Sequence, residues 1–592
     1  MLAAMRLATL ATLAVLFCIA GPAAAAGTID KVVVEGIDDE LMIENINVAL
    51  TLNQSLGRRL GESRLEYLLK EAEAEAREAL EPFGYYSPTI TIDAPRGAAN
   101  AEGRIDDHIV VTVRIQLGEP VRVRHSDIRV EGEGADDRYL QEDIAAFAPQ
   151  PGAVFDHTTY EASKLKIVQR LAERGYLDAD FLDRKVEVTR ADRAADIQLS
   201  WISGIRYDMG PTTFHQDYFE PGLLERLVYW EEGSYYHQGK LDRLRQSLVG
   251  LDYFSSIDIQ PDPDNAVDGR VPIEVTLTRA KRTIYTYGIS YGSESGPGVR
   301  TGVERRYVNS RGHKLSAQLD YAQKRKQLTT LYRIPAFKWL DGWYGIGATL
   351  YDEQTDYIDT RRVELFASRS GEVNEHLTAN VSLHTLRERW RYGEPGYQYA
   401  SLTYPEIGAQ YVNVDDRLFP RKGVVASAAV RGGVEGVGSD ASFGQLHLAT
   451  TWHFGIGEVD RLLLRGEAGT TLTNDLFAMP PSLRFFAGGD RSVRGYAFRE
   501  VGPRLDNGYA VGAKHVLTGS VEYEHYFGGG PWGMAAFVDS GSAFDDTPDF
   551  KTGIGVGARW RSPIGPVRVD IAHGLDDADS AVQLYLSIGV GL

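Results

Sequence analysis

From Thr283 to Leu592, apolar and polar residues alternate with a period of two, in segments separated by turn-forming stretches. The segments are about ten residues long, the length of a tilted membrane-crossing strand. In the final one Leu584, Leu586, Ile588, Val590 and Leu592 share one face, and Tyr585, Ser587, Gly589 and Gly591 share the other. In Val567-Arg568-Val569-Asp570-Ile571 the apolar side chains point one way and the charges the other. A soluble sheet would have to bury its outward Tyr, Leu and Val, whereas a barrel in lipid leaves them outside and keeps the polar face for a wet lumen. The segments from Thr283–Tyr291 to Ala581–Leu592 predict a 16-stranded antiparallel transmembrane β-barrel over residues 281–592.

Ahead of this region the pattern mixes strands with helices. Val32-Val33-Val34 reads as a strand, residues 60–80 as a charge-rich helix, and residues 90–92 and 109–115 as further strands. The order returns from Ile128, with a helix over 160–174, and again from Tyr207, with a helix over 240–249. Each copy has a landmark where its last helix ends: Phe83-Gly84-Tyr85, Gly175-Tyr176 and Asp252-Tyr253-Phe254, the third without glycine. Glycine suits a helix end in the left-handed region, and the aromatic beside it is placed to anchor the following strand to the helices. A repeat of about 80 residues carrying such a landmark predicts three tandem α+β domains, over 27–120, 121–204 and 205–280.

Residues 1–26 read as an export signal, with Arg6, an apolar run over 7–20 that is too short to span a bilayer, and Ala24-Ala25-Ala26 as a cleavage site. The single cysteine, Cys18, falls inside this segment, so the exported chain offers no disulfide and no thiolate chemistry. No later apolar run is long enough for a transmembrane helix. A formal net charge of −19 argues against nucleic acid as a partner. A chain that enters the barrel from the periplasm leaves its preceding domains on that side.

The longest break in the alternation, residues 475–513, contains Val493-Arg494-Gly495-Tyr496. Its density of glycine and arginine suits a loop folded into the lumen, where glycine permits close backbone packing and an arginine needs a carboxylate. By strand parity Glu522 and Asp539 point inward and are the candidate partners of Arg494. Enzyme motifs find no footing. Gly553, Gly555 and Gly557 alternate along a strand and open no helix, so they form no phosphate-binding loop. Ser540 lacks the nucleophile-elbow pattern, and the 13 histidines show no metal-ligand spacing. No enzyme activity, metal or cofactor is expected.

Taken together, the export signal, three repeats, barrel and Val493–Tyr496 loop resemble the outer-membrane protein assembly superfamily of BamA and TamA. Asp415-Asp416-Arg417-Leu418-Phe419-Pro420-Arg421-Lys422-Gly423 at a predicted periplasmic turn, Phe537-Val538-Asp539-Ser540-Gly541, and Gly553–Gly557 leading to Ser562-Pro563-Ile564-Gly565-Pro566 add to the resemblance. It implies that the repeats are polypeptide-transport-associated (POTRA) domains and that Arg494 pairs with the barrel wall. Three repeats point to the TamA branch. That implies an outer-membrane location, a periplasm-spanning partner of the TamB kind anchored in the inner membrane, unfolded autotransporter and other β-barrel clients, and contact with outer-membrane lipid. The glycines of the last strand, Gly589 and Gly591, weaken it. A lateral gate is therefore expected between Tyr285, Tyr287 and Ile289 on the first strand and Leu584, Leu586 and Ile588 on the last. The alternatives are a two-partner-secretion transporter that passes a polypeptide through its lumen, and a lipid conduit with a bridging partner.

Overall fold

The computed structural model describes residues 25–95, 108–292, 295–337, 342–355, 358–393, 396–562, 565–576 and 582–588. The expected export signal lies outside them except for Ala25 and Ala26, which open the first strand; Gly589 and Gly591 also lie outside. None of the described helices is long and apolar enough to cross a membrane. The chain packs as two compact units. One comprises residues 1–213, 230–243 and 260–273; the other comprises residues 214–229, 244–259 and 274–592.

The first domain consists of β1 (Ala25–Glu35), α1 (Glu40–Ala49), β2 (Arg59–Gly61), α2 (Glu62–Leu80), β3 (Thr89–Asp93) and β4 (His108–Gln116). Its sheet has the order β2-β1-β4-β3, with β1 and β4 parallel. The Asp39 carboxylate caps α1 by accepting from the Met42 N–H at 3.0 Å. Leu65, Leu68, Ala72, Ala76 and Ala79 recur at helical spacing on α2 and are buried in one cluster with Ile29, Val111 and Val113. The second domain has β5 (Arg122–Glu131), α3 (Arg138–Ala145), α4 (His157–Arg174), β6 (Asp180–Thr189) and β7 (Ala194–Ile202) in the sheet order β5-β7-β6. The third has β8 (Asp208–His215), α5 (Gln238–Leu251), β9 (Phe254–Pro261) and β10 (Arg270–Arg279) in the matching order β8-β10-β9. Where the first two domains carry a helix after their opening strand, the third has only the short 3-10 turn Glu225–Leu227. Pro221-Gly222, with Gly222 at φ +85°, breaks the segment before a helix can propagate.

The glycine landmarks do more than end a helix. Gly84 (φ +89°) accepts from the Val121 N–H at 2.8 Å, and a Cβ there would stand 2.7 Å from the Val154 side chain of the second domain. Gly175 (φ +94°) accepts from the Tyr207 N–H at 2.9 Å, and a Cβ there would stand 2.9 Å from the Tyr236 Cβ. Each therefore caps its helix and lets the following segment dock on the cap. The aromatic neighbours do not behave alike. Tyr85 is half-buried against the first core, whereas Tyr86 is buried in the second domain's core, with its hydroxyl 2.6 Å from His157 Nε2. Tyr176 is buried in the second core. The Tyr207 hydroxyl donates to the Asp178 carboxylate at 2.6 Å, and that bond to an anion pushes its pKa up to about 12. In the third copy Asp252 takes the left-handed position at φ +55°. Tyr253 stacks on Phe219 with ring centroids 4.8 Å apart, and its hydroxyl donates to the Gly312 carbonyl in the barrel turn over residues 306–313. Phe254 opens β9 and packs edge-on against Phe219. Tyr253 thus also anchors on that turn, where Phe219 and Tyr307 supply an aromatic pocket.

Sixteen strands follow in one antiparallel sheet, each paired with its sequence neighbours. They are β11 (Thr283–Gly292), β12 (Gly296–Arg305), β13 (Lys314–Ala322), β14 (Arg325–Pro335), β15 (Gly342–Gln354), β16 (Asp359–Glu372), β17 (Leu377–Arg391) and β18 (Gln398–Val414). Then come β19 (Gly423–Gly433), β20 (Phe443–Ile456), β21 (Asp460–Thr473), β22 (His515–Tyr526), β23 (Trp532–Phe544), β24 (Lys551–Ser562), β25 (Gly565–Gly574) and β26 (Gln583–Ile588). β15 to β18 run 13, 14, 15 and 17 residues, longer than expected from the apolar pattern. Their ends carry charged residues joined across strands, such as Arg391 with Asp359 at 2.7 Å, so the ladder continues past the apolar belt. The faces are inverted relative to a soluble protein: Val521, Val538, Ile554 and Ile571 are exposed, while Glu522, Glu524, Asp539, Arg559 and Asp570 are buried inside. The sheet curls until Cα atoms of β11 and β26 come within 8 Å, yet among the described residues no hydrogen-bonded ladder joins the two strands.

Candidate functional site: the loop anchor and the seam

The loop between β21 and β22 is a folded ribbon rather than a slack connection. Phe485 pairs with Ala513 and Ala487 with Val501. Val493 and Tyr496 are buried in an apolar cluster with Phe485 and Val516. Between them, Arg494 projects to the wall. Its Nε donates to Asp539 Oδ2 at 2.7 Å and its Nη2 to Asp539 Oδ1 at 2.9 Å, a bidentate fork, while the Arg494 backbone N–H donates to the same carboxylate at 3.0 Å. Nη1 donates to Glu522 Oε2 at 2.7 Å and to Asp570 Oδ2 at 3.1 Å. The guanidinium lies 3.3 Å from the centroid of the Phe537 ring.

A second arginine interlocks with the first. Arg559 donates to Glu522 Oε1 at 2.6 Å, to Glu524 Oε1 at 3.0 Å and to Asp570. Arg461 takes the other oxygen of Glu524 at 2.6 Å. Arg461, Arg494 and Arg559 thus face Glu522, Glu524, Asp539 and Asp570, each carboxylate paired, which is the arrangement in which buried charge is tolerated.

The glycine run on β24 makes room for this cluster. A Cβ at Gly553 would stand 1.8 Å from the Arg494 carbonyl oxygen, at Gly555 2.4 Å from the Phe537 ring, and at Gly557 1.8 Å from Asp570 Oδ1. Gly495, at φ +102°, turns the loop against the backbone of His573. The last strand joins the cluster through Tyr585, whose hydroxyl accepts from the Gly495 N–H at 3.0 Å and donates to the Tyr496 carbonyl at 2.7 Å.

The structure brings Val493, Arg494, Gly495, Tyr496, Glu522 and Asp539 into one place. Sequence reasoning had not singled out Asp570, Arg559 or Tyr585. Parity carried the signal: Arg559 shares the face of Gly553, Gly555 and Gly557, and Tyr585 lies opposite Leu584. What parity does not tell is which inward groups meet.

The expected gate residues lie apart from this cluster. Tyr285, Tyr287 and Ile289 face outward and are exposed, as is Leu584; Leu586 is half-buried, and Ile588 ends β26. Among the described residues, which on the last strand end at Ile588, six residues of β26 pair with β25. No group of three or more His, Cys, Asp or Glu among the described residues is arranged to hold a metal ion.

Comparison with known proteins agrees with this architecture. Residues 308–591 match the Omp85 superfamily domain, residues 31–116 the POTRA domain described as TamA domain 1, and residues 123–200 the POTRA model described as a surface antigen variable number repeat. The outer membrane protein assembly factor BamA of Nitratidesulfovibrio vulgaris is 23% identical over 371 residues, covering 60% of this chain and 46% of that protein. The chain thus spans about half the length of that curated relative. The crystal structure of BamA from Haemophilus ducreyi lacking POTRA domains 1–3 shares the fold, with a TM-score of 0.64 at 17% identity over 78% of this chain and 98% of that one. CdiB from Acinetobacter baumannii gives a TM-score of 0.45 at 13% identity over 79% and 89% of the respective chains.

Proposed function

Starting from a chain that belongs to the Omp85 superfamily, with its β-barrel in the outer membrane and its POTRA domains in the periplasm, we propose that it is an assembly and translocation factor of the TamA type. In this reading three POTRA domains receive unfolded autotransporters and other β-barrel clients, and a lateral gate between β11 and β26 templates their insertion. A periplasm-spanning partner of the TamB kind links the arm to the inner membrane. The third POTRA assignment is supported by the sheet order β8-β10-β9, which repeats the β5-β7-β6 order of the second domain.

The observation that carries the proposal is the seam. An unpaired strand edge in lipid is costly, so a barrel whose first and last strands approach without a ladder among the described residues holds an edge ready for an incoming strand. A client strand pairing there satisfies the backbone by β-augmentation. The bonds from Tyr585 to Gly495 and Tyr496 hold the last strand from inside, so releasing the loop and opening the seam are one event. The same loop is anchored inside the barrel on β22, β23 and β25, which counts against passage of a polypeptide through the interior.

The test is a reversible lock. Cysteines are placed on β11 at Tyr287 and on β26 at Leu586, with neighbouring positions as alternates, and membrane assembly of a model autotransporter is followed. Assembly is expected to stop under oxidation and to resume on reduction. Undiminished assembly by the locked barrel sinks the gate.

A further inference from the structure

The lumen contains a second charged place that the loop anchor leaves unused. At the barrel end where β11 begins, the turn joining β18 to β19 folds Leu418, Phe419 and Pro420 over a cavity of about 160 Å³. The turn is held by its own aspartates. Asp415 Oδ1 accepts from the N–H groups of Arg421 and Lys422 at 2.8 and 3.0 Å, and Asp416 Oδ1 from those of Leu418 and Phe419 at 2.6 and 2.8 Å. Arg461 donates to the Pro420 carbonyl, fixing the turn to the wall. The cavity under it is therefore a built feature of the interior.

Its charge is not balanced. Three arginines, Arg461, Arg465 and Arg568, line it together with His453 and one carboxylate, Glu522. Glu522 is already taken by Arg494 and Arg559, and Arg461 is paired with Glu524. Among the described residues neither Arg465 nor Arg568 has an ion-pair partner. Nη2 of Arg465 is sealed from solvent with no hydrogen-bond acceptor, and so is Nδ1 of His453, a side chain only 7% exposed. Guanidinium does not shed its proton, so two positive charges without an ion pair of their own and two unanswered ring or fork nitrogens face one space. Such groups are costly to bury unless something answers them.

We propose that this cavity binds a phosphate-class oxyanion, held by the guanidinium forks of Arg465 and Arg568 and by His453. The donors come from three different strands, β20, β21 and β25, and so approach from several sides. One fork suffices for a planar carboxylate, whereas several donors from different walls match a tetrahedral oxyanion. The phosphate is either free in the periplasm or carried by a lipid headgroup.

The experiment uses full-length protein in an uncharged detergent at low ionic strength, titrated calorimetrically with inorganic phosphate. One saturable site is expected. Arg465→Gln and Arg568→Gln should each weaken it about tenfold or more, the loss of a charge-assisted contact, while Arg300→Gln leaves it unchanged. Dihexanoylphosphatidylglycerol is then added. Displacement of phosphate assigns the site to a headgroup, and failure to displace assigns it to the free ion; both uphold the proposal. Because neither arginine is paired, both Gln variants should keep the heat resistance of the folded barrel. If they lose it, Arg465→Lys and Arg568→Lys, which keep the charge, decide by retaining weakened binding. The proposal is overturned by an absence of saturable phosphate binding, by equal binding in wild type and the Gln variants, or by binding of acetate with none of phosphate.

Discussion

Two arginine–aspartate pairs face the interior of the same barrel, and they live in different worlds. Arg300 and Asp320, on β12 and β13, pair across neighbouring strands with side chains 57% and 33% exposed. Arg494 and Asp539 pair between the loop and β23 with side chains 3% and 0% exposed. Water screens the first pair, so it contributes little beyond local order. The second sits in a low-dielectric cluster, where its Coulomb energy is several-fold larger and breaking it leaves a bare buried carboxylate. The wall at Arg300 and Asp320 therefore faces a wet space, and the wall formed by β22, β23 and β25 is a dry one against which the loop is clamped. The seam lies where the two meet.

The largest break in this contrast is Arg494→Ala. It leaves Asp539 without its ion pair and takes one of two partners from Glu522 and Asp570, and removing one partner of a buried pair costs about 3–5 kcal/mol. We expect the barrel to unfold at a clearly lower temperature in a gel-shift assay and the loop over 475–513 to become protease-sensitive. An unchanged melting temperature and an intact loop would show that the anchor is dispensable. Next comes Gly553→Ala, whose Cβ would collide with the Arg494 carbonyl oxygen at 1.8 Å. Overpacking of this kind costs about 1–3 kcal/mol. The matched change on the wet side, Gly302→Ala, meets nothing nearer than 3.6 Å and should be silent. Equal thermal stability of the two variants would contradict the distinction between the wet and dry walls.

A smaller effect is expected from Tyr585→Phe, which removes the hydroxyl linking β26 to the loop at a cost of about 1 kcal/mol. Hydrogen exchange should accelerate in β26 and at Gly495, while Tyr285→Phe, exposed on β11, changes neither. Should β26 exchange at the wild-type rate, the loop is not what holds the last strand. The smallest effect is Arg300→Ala, expected to shift stability by less than about 0.5 kcal/mol at moderate salt. A loss comparable to that of Arg494→Ala would erase the distinction between wet and dry walls.

Much of this was legible from residue order, because strand alternation is a local property. A period of two declares which face each side chain takes, so the outward Leu584 and inward Glu522 and Asp539 followed without knowledge of the fold. The left-handed helix ends at Gly84 and Gly175 were legible for the same reason. The partners of the aromatic at the third landmark were not: Phe219 and the turn at Gly312 are brought to Tyr253 from elsewhere in the chain.

By itself, then, the sequence determined the barrel, the repeats ahead of it, the inward charges and a loop arginine in need of carboxylates. Only the tertiary structure decided which inward charges converge. Asp570 lies 76 residues from Arg494, and Arg559 reaches the same cluster from another strand. Parity tells in or out, but the height of a side chain in the lumen and its neighbour across it depend on strand stagger and on how the sheet closes. Those are properties of sixteen strands together, and they are what leave Arg494 and Asp539 interlocked and, among the described residues, the edge between β11 and β26 without a ladder.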